Sequence, residues 1–299
     1  MSETSESLRR KIDGAAELES VVRTMKALAA ASITQYERAV HSLDEYYRTV
    51  ELGLLAWLHQ SGTVLNFGEA AQLHGSEIGA VVFGSDQGLV GQFNEVLADF
   101  VISSLSETSG NKNIMAVGER VQGHLGDAAL PVTGTFQVPN SITAVTALVG
   151  SILMEIEAQR ERGQIAEVFL FHNRPKPGGL CQPVMQRLLP LDSEWRHGLT
   201  ALPWPTNNLP EVISDSPATL QALIREYLFI SLFRACAESL ASENASRLAA
   251  MQRAEKNIEE LLEDYKQDFH RQRQSTIDEE LFDVIAGFEA LSSENKISI

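Results

Sequence analysis

Glycines at 84, 88 and 91 lie in VVFGSDQGLVGQFN (Val81–Asn94), between an apolar run and the start of a helical pattern. A strand, a glycine-rich turn and a helix N-terminus in that order can cradle a phosphate, because backbone N–H groups and the helix dipole converge on one point. The spacing here is GxxxGxxG rather than GxGxxG, no GK[ST] follows, and no Lys or Arg occurs from Phe83 to Phe100. Glu107, at the distance expected of a ribose-binding acid, falls in a polar loop. The alternative is a tight strand-to-helix joint with close packing. GSDQG also puts Asp86 where a nucleophile elbow holds its nucleophile. That chemistry needs a histidine base, and His124, His172 and His197 are candidates that sit in no motif. An acid in a turn is more often a plain turn residue.

Other chemistry is sparse. Cys181 and Cys236 are far apart and in no metal-like spacing, which fits small core residues in a reducing compartment. No HxxxH or HExxH pair occurs among the seven histidines, so neither a metal site nor a cofactor is expected. The net charge of −16, from 24 basic and 40 acidic residues, argues against unassisted binding to nucleic acid or an anionic lipid surface. MSETSESLRRKIDG has acids and no apolar run, unlike a signal or transit peptide. No uninterrupted apolar run reaches the length that spans a bilayer. A soluble, cytoplasmic chain without bilayer insertion is expected.

The surrounding elements frame the turn. All ten prolines fall between Pro131 and Pro217, and from Ala218 to Ala286 there is neither proline nor glycine, a run of 69 residues. One continuous helix there would be roughly 100 Å long. Near the N-terminus, alternating 4–3 spacing picks out Leu8, Ile12, Ala15, Glu19, Val22, Lys26, Ala29, Ile33, Tyr36, Val40, Leu43, Tyr47, Val50, Leu54 and Trp57, of which thirteen of fifteen are apolar or aromatic. A sustained 3.5-residue repeat is a coiled-coil seam with left-handed supercoiling. The alternative is an amphipathic helix on a globular core, although such helices rarely exceed about 25 residues.

A second seam runs through Leu220, Leu223, Tyr227 and Ile230, then Leu248, Met251, Ile258, Leu262, Tyr265 and Phe269. After a register shift it continues through Ile277, Leu281, Val284, Phe288 and Leu291. Small residues between (Ala235, Ala237, Ala241, Ala245) suit close helix approach. The two terminal helices are expected to pair antiparallel.

Strand and helix patterns alternate in the centre. Strands are expected at 78–84, 113–118, 131–138 and 165–173, with a fifth extended segment at 181–190. Helices are expected at 92–105 and 141–163, the latter N-capped by Ser141. Alternation implies a mostly parallel sheet covered by helices. The fold class is therefore α/β: a long antiparallel coiled coil of the N- and C-terminal helices with an inserted Rossmann-like α/β domain. Its divisions are 1–60, 78–205 and 211–291, with proline-rich TALPWPTNNLP (Thr200–Pro210) as connector.

Four stretches in order resemble the gamma subunit of F-type ATP synthases. They are VVRTMKALAAASITQYERA (Val21–Ala39), SDQGLVGQFN (Ser85–Asn94), SENASRLAAMQRAEKNIEELLED (Ser242–Asp264) and RQRQSTIDEELFDVIAG (Arg271–Gly287). The resemblance covers nearly the whole chain. It implies a non-catalytic central-stalk rotor, which couples ion flow to ATP synthesis or hydrolysis on the beta subunits. Its implied partners are the alpha and beta subunits, the epsilon subunit and the membrane c-ring, at the cytoplasmic face of the plasma membrane. It also implies that Met25, Lys26, Arg247, Arg273 and Gln274 contact the beta subunits or the opposite helix. Ile277, Leu281, Ile285 and Phe288 would form an apolar shaft tip turning in the ring. Ordinary surface charge is the alternative for the cations, and a simple seam for the tip.

The chain departs from the family pattern at Val90, at Asp278 and in its acidity. Glu211–Ile299 alone carries 17 acidic and 9 basic residues, which puts the usual electrostatics against an acidic lever loop of beta in doubt. That acidity suggests a divergent branch, the alternate prokaryotic ATPase often associated with sodium. Two competing readings are a non-motor coiled-coil adaptor and a small-molecule enzyme on the α/β domain.

Overall fold

The computed structural model describes residues 5–61, 77–108, 110–128, 130–176, 181–208 and 217–294, with the side chains of 61 and 287–294 outside that set. The chain divides into two compact units, Leu28–Ala250 and Met1–Ala27 with Met251–Ile299.

In Leu28–Ala250 a five-stranded sheet has the order β3-β2-β1-β4-β5. Its strands are β1 (Ile78–Phe83), β2 (Lys112–Val117), β3 (Val132–Phe136), β4 (Glu167–Pro175) and β5 (Cys181–Leu189). β1 pairs in parallel with β2 and β4, β2 with β3, and only β5 runs antiparallel, on β4. IGAVVF is buried at every position because helices cover both faces of a central parallel strand. The edge strand β3, VTGTF, alternates instead between half-buried and exposed.

Strand periodicity sends alternate residues into two cores. Val81, Phe83, Met115 and Val117 join one with α4 (Ile142–Glu161), α1 (Ser5–Ser61) and α6 (Pro217–Glu294). Ala80, Val82, Ile114 and Ala116 join the other with α2 (Phe93–Ser106) and α3 (Glu119–Asp127). The Ser141 hydroxyl caps α4 by accepting from the Ala144 N–H at 3.3 Å. By composition α4 is long and apolar enough to cross a membrane. Its Val145, Val149, Ile152, Leu153 and Ile156 are instead buried in the first core, so the apolarity is that of a core helix. Two short helices, α3 and α5 (Ser193–Thr200), lay outside the sequence expectation. ERVQGHLGD carries two glycines and SEWRHGLT one, and each offers a single apolar pair at i,i+4 spacing, too little to mark a helix; burial of Val121, Leu125 and Leu199 fixes them.

The long helices pair antiparallel within each unit. In Leu28–Ala250, Asp44 meets Arg234 at 3.3 Å, Tyr46 donates to Glu226 at 2.7 Å, and Tyr47 packs on Tyr227 with ring centroids 5.5 Å apart. In the other unit, Lys26 pairs with Glu255, and the Lys11 ammonium lies 5.5 Å from the Tyr265 ring centroid. All fifteen expected seam positions of α1 are buried or half-buried. On α6 the seam holds as far as Phe269 and then ends. Ile277, Leu281 and Val284 are more than half exposed, which corrects the expectation that these three continue the pairing. Phe288 and Leu291 lie outside the described side chains.

Candidate functional site

The glycine-rich turn is built as a joint. A Cβ on Gly84 would lie 2.4 Å from Val121, so only glycine lets α3 approach β1 this closely. Asn94, at the start of α2, reaches back: its Oδ1 accepts from the Ser85 N–H at 3.0 Å, and its Nδ2 donates to Ser85 Oγ at 2.8 Å. The two oxygens of Asp86 accept from the Glu119 and Val138 N–H groups at 2.9 and 2.8 Å. Asp86 therefore caps α3 and anchors the chain leaving β3. The polar groups that a phosphate cradle or an elbow nucleophile would use are taken up by the fold. Of the candidate bases, His172 is bonded to Glu238, and His197 bonds the Ser193 carbonyl within its own helix at 2.6 Å.

The middle of α6 is held on the sheet by side chains that sequence reasoning passed over. Ser239 Oγ donates to the Phe83 carbonyl at 2.8 Å, and Ser242 Oγ to the Asn173 carbonyl at 2.9 Å. Just before them Glu238 accepts from Arg174 at 2.8 Å and Arg234 at 2.9 Å, and lies 2.9 Å from His172 Nε2. Burial alone would raise the Glu238 carboxyl, but these three hydrogen bonds outweigh it and hold it at about 2. Burial lowers His172 despite the bond to Glu238, so the ring is neutral near pH 7 and its Nε2–H donates. A lone acid inside FRACAESLAS was the available signal.

The coupling residues implied by resemblance fall in different surroundings. Arg247 is only 12% exposed at its side chain and is held by its own helix, 2.7 Å from Glu243 and 3.4 Å from Asn244 Oδ1. With Tyr36, Asp86, Gln87 and Asn140 it lines a cavity of about 180 Å³. Burial raises the Glu243 carboxyl, and Arg247 offsets only part of that. Met25 and Lys26 are half-buried on α1. Lys26 occupies a seam position and meets Glu255, which also lies 3.5 Å from Arg23. The hydrogen bond from Lys26 holds the Glu255 carboxyl below its ordinary range. Glu255 was overlooked, although a step of four from Met251 lands on it. A charged pair at matched seam positions fixes helix register.

Arg273 and Gln274 are exposed on α6, as are Ile277, Leu281 and Ile285; the side chain of Phe288 is outside the described set. The structure thus does not gather the implied residues into one cluster. Met25 and Lys26 lie in one unit with Arg273, Gln274 and the tip, and Arg247 lies in the other.

A long antiparallel helix pair with an inserted α/β sheet is the class of architecture these features define. A family model described as ATP synthase matches residues 4–291. Curated relatives named ATP synthase gamma chain come from Polynucleobacter necessarius, 25% identical over 97% of this chain and 100% of the relative, and from Salinibacter ruber, 27% identical over 95% and 97%. The chain belongs to the ATP synthase gamma chain family. Its fold is shared with a chain of the Euglena gracilis mitochondrial ATP synthase OSCP/F1/c-ring assembly, at a TM-score of 0.69, 16% identity, and coverage of 99% of this chain and 97% of that one. A chain of the Euglena rotor gives 0.65 at 15% identity, over 91% and 98%.

Proposed function

We propose that this chain is the central-stalk rotor subunit of a rotary F-type ATP synthase or ATPase. It is a non-catalytic subunit of a membrane-associated peripheral assembly, and ATP chemistry takes place on beta subunits. The observation that carries the reading is the match across residues 4–291 on a chain whose two long helices pair antiparallel. The chain turns with the c-ring and the epsilon subunit, inside a ring of alpha and beta subunits. Its different faces bias the beta subunits in turn, through differential contact. The parts are the helix 1–60, the α/β domain 78–205 and the helix 211–291. The assembly lies on the cytoplasmic face of the plasma membrane. Met25, Lys26, Arg247, Arg273 and Gln274 make the contacts to beta, and Ile277, Leu281, Ile285 and Phe288 form the tip within the ring. Exposure of Ile277, Leu281 and Ile285 supports the tip assignment, since an apolar face left bare on a helix calls for a partner.

The test is co-expression with alpha and beta subunits from the same source, followed by mass and ATPase rate with and without the chain. One copy per ring and a raised hydrolysis rate are expected. A chain that elutes apart from the ring and leaves the rate unchanged sinks the reading in favour of a non-motor adaptor.

A further inference from the structure

The cavity beside Arg247 is lined by an ion pair that is only half made. Arg247 and Glu243 meet through one hydrogen bond, Nη2 to Oε1 at 2.7 Å, where an arginine and a carboxylate can make two in parallel. Glu243 Oε2 and Arg247 Nε are left over. Both atoms are buried, and neither has a hydrogen-bond partner among the described residues. Glu243 as a whole is only 5% exposed, and a buried polar atom left unmet costs free energy. Its polar neighbours are already committed. Asn244 accepts from Arg247 Nη1 at 3.4 Å and donates to the Leu240 carbonyl at 2.8 Å. Both Asp86 oxygens are taken by backbone N–H groups. One acceptor and one donor thus remain, on two side chains that line the same space of about 180 Å³.

The other lining residues set size and polarity. Val138, Pro139, Leu240 and the Tyr36 ring supply apolar wall, and the exposed Gln87 and Asn140 form the rim. A cavity of about 150 Å³ takes benzene, so there is room for a single ring with a short polar group. All of these residues belong to Leu28–Ala250. Charge selects further. The charges of Glu243 and Arg247 cancel. A ligand anion would face Glu243 and Asp86, whereas a ligand cation would meet Arg247 and leave its Nε–H unmet. We propose that this cavity binds a small uncharged molecule with a carboxamide or lactam edge, whose N–H donates to Glu243 Oε2 and whose carbonyl accepts from Arg247 Nε. Such an edge carries donor and acceptor side by side. It reproduces the hydrogen bonds that water can make to the pair, and its ring adds apolar contact that water lacks. Binding needs this chain alone, so it is independent of the central-stalk reading.

The experiment titrates the full chain, near neutral pH, with benzamide, benzoate and benzamidine, which are neutral, anionic and cationic molecules of nearly one shape, and follows binding by ligand-detected NMR. Benzamide is expected to bind with a Kd on the order of 1 mM, an ordinary affinity for about nine heavy atoms. The two charged isosteres should bind roughly tenfold more weakly. R247M keeps the apolar stem, removes the donor and should weaken benzamide roughly tenfold. N140W places a bulky ring at the exposed rim and should weaken benzamide by a similar factor without moving the thermal midpoint, so that lost binding is not lost fold. Benzoate or benzamidine binding as tightly as benzamide overturns the uncharged class. Benzamide binding that both variants leave unchanged lies elsewhere on the chain and overturns the site, as does an absence of binding at roughly twenty times the expected Kd.

Discussion

Residues 231–244 and residues 277–286 belong to one uninterrupted helix, yet in the first stretch every side chain but Arg234 is buried, and in the second every side chain is exposed. Neither stretch contains a helix breaker, so backbone propensity does not separate them. Surroundings do. The first lies among α1, the sheet and their polar anchors; most of its residues are small or apolar, its buried acids Glu238 and Glu243 are paired with arginines, and Ser239 and Ser242 donate to strand carbonyls. The second carries apolar and acidic side chains, all of them exposed. A buried helix and a bare one can thus share a sequence grammar, and the difference shows as what each tolerates.

Leu232 is fully buried. Leu232→Ala should cost about 3 kcal/mol in chemical denaturation; a loss under about 1 kcal/mol would mean that the helix middle is not packed as described. Glu238→Gln should cost about 2 kcal/mol, because the buried carboxylate that accepts from Arg174 and Arg234 and faces His172 loses its charge. A wild-type-like midpoint would show that the cluster contributes packing alone.

The same cluster sets a pH dependence. His172 has a folded value below its ordinary 6.5, so the folded state binds fewer protons than the unfolded one and stability falls as pH drops below that value. Glu238, held at about 2 rather than 4.5, adds a further loss between those two values. Thermal midpoints followed from neutral to acid pH should show both, and His172→Gln should flatten only the upper one. Ser239→Ala should cost about 1 kcal/mol, through the Phe83 carbonyl it leaves unmet. Leu281→Ala should shift stability by less than about 0.5 kcal/mol, yet weaken loading onto the ring. If Leu281→Ala destabilises as Leu232→Ala does, the tip is not bare and the contrast between the stretches fails.

Much of this was legible in residue order. The 4–3 spacing named α1's buried face position by position, and the alternating strands gave the mostly parallel sheet with Ser141 at the head of α4. What escaped was non-local. Nothing near Glu238 in sequence announces His172 or Arg174, which come from β4. Nothing near Lys26 announces Glu255. α3 and α5 are too short and too glycine-bearing to declare themselves, and they are helical because Val121, Leu125 and Leu199 find cores. The 4–3 spacing extends the seam through Ile277, Leu281 and Val284, since apolar spacing alone does not say whether a partner helix reaches far enough to meet it.

The sequence by itself determined the two unbroken helices, the period of their seams, the strand-and-helix alternation and the family, because each depends on local propensity, spacing or motif order. Only the tertiary structure decided which charges are neutralised, which turn residues are spent on the fold, and where the seam of α6 stops. Those depend on which distant side chains come within hydrogen-bond reach, and burial turns such meetings into fixed contacts.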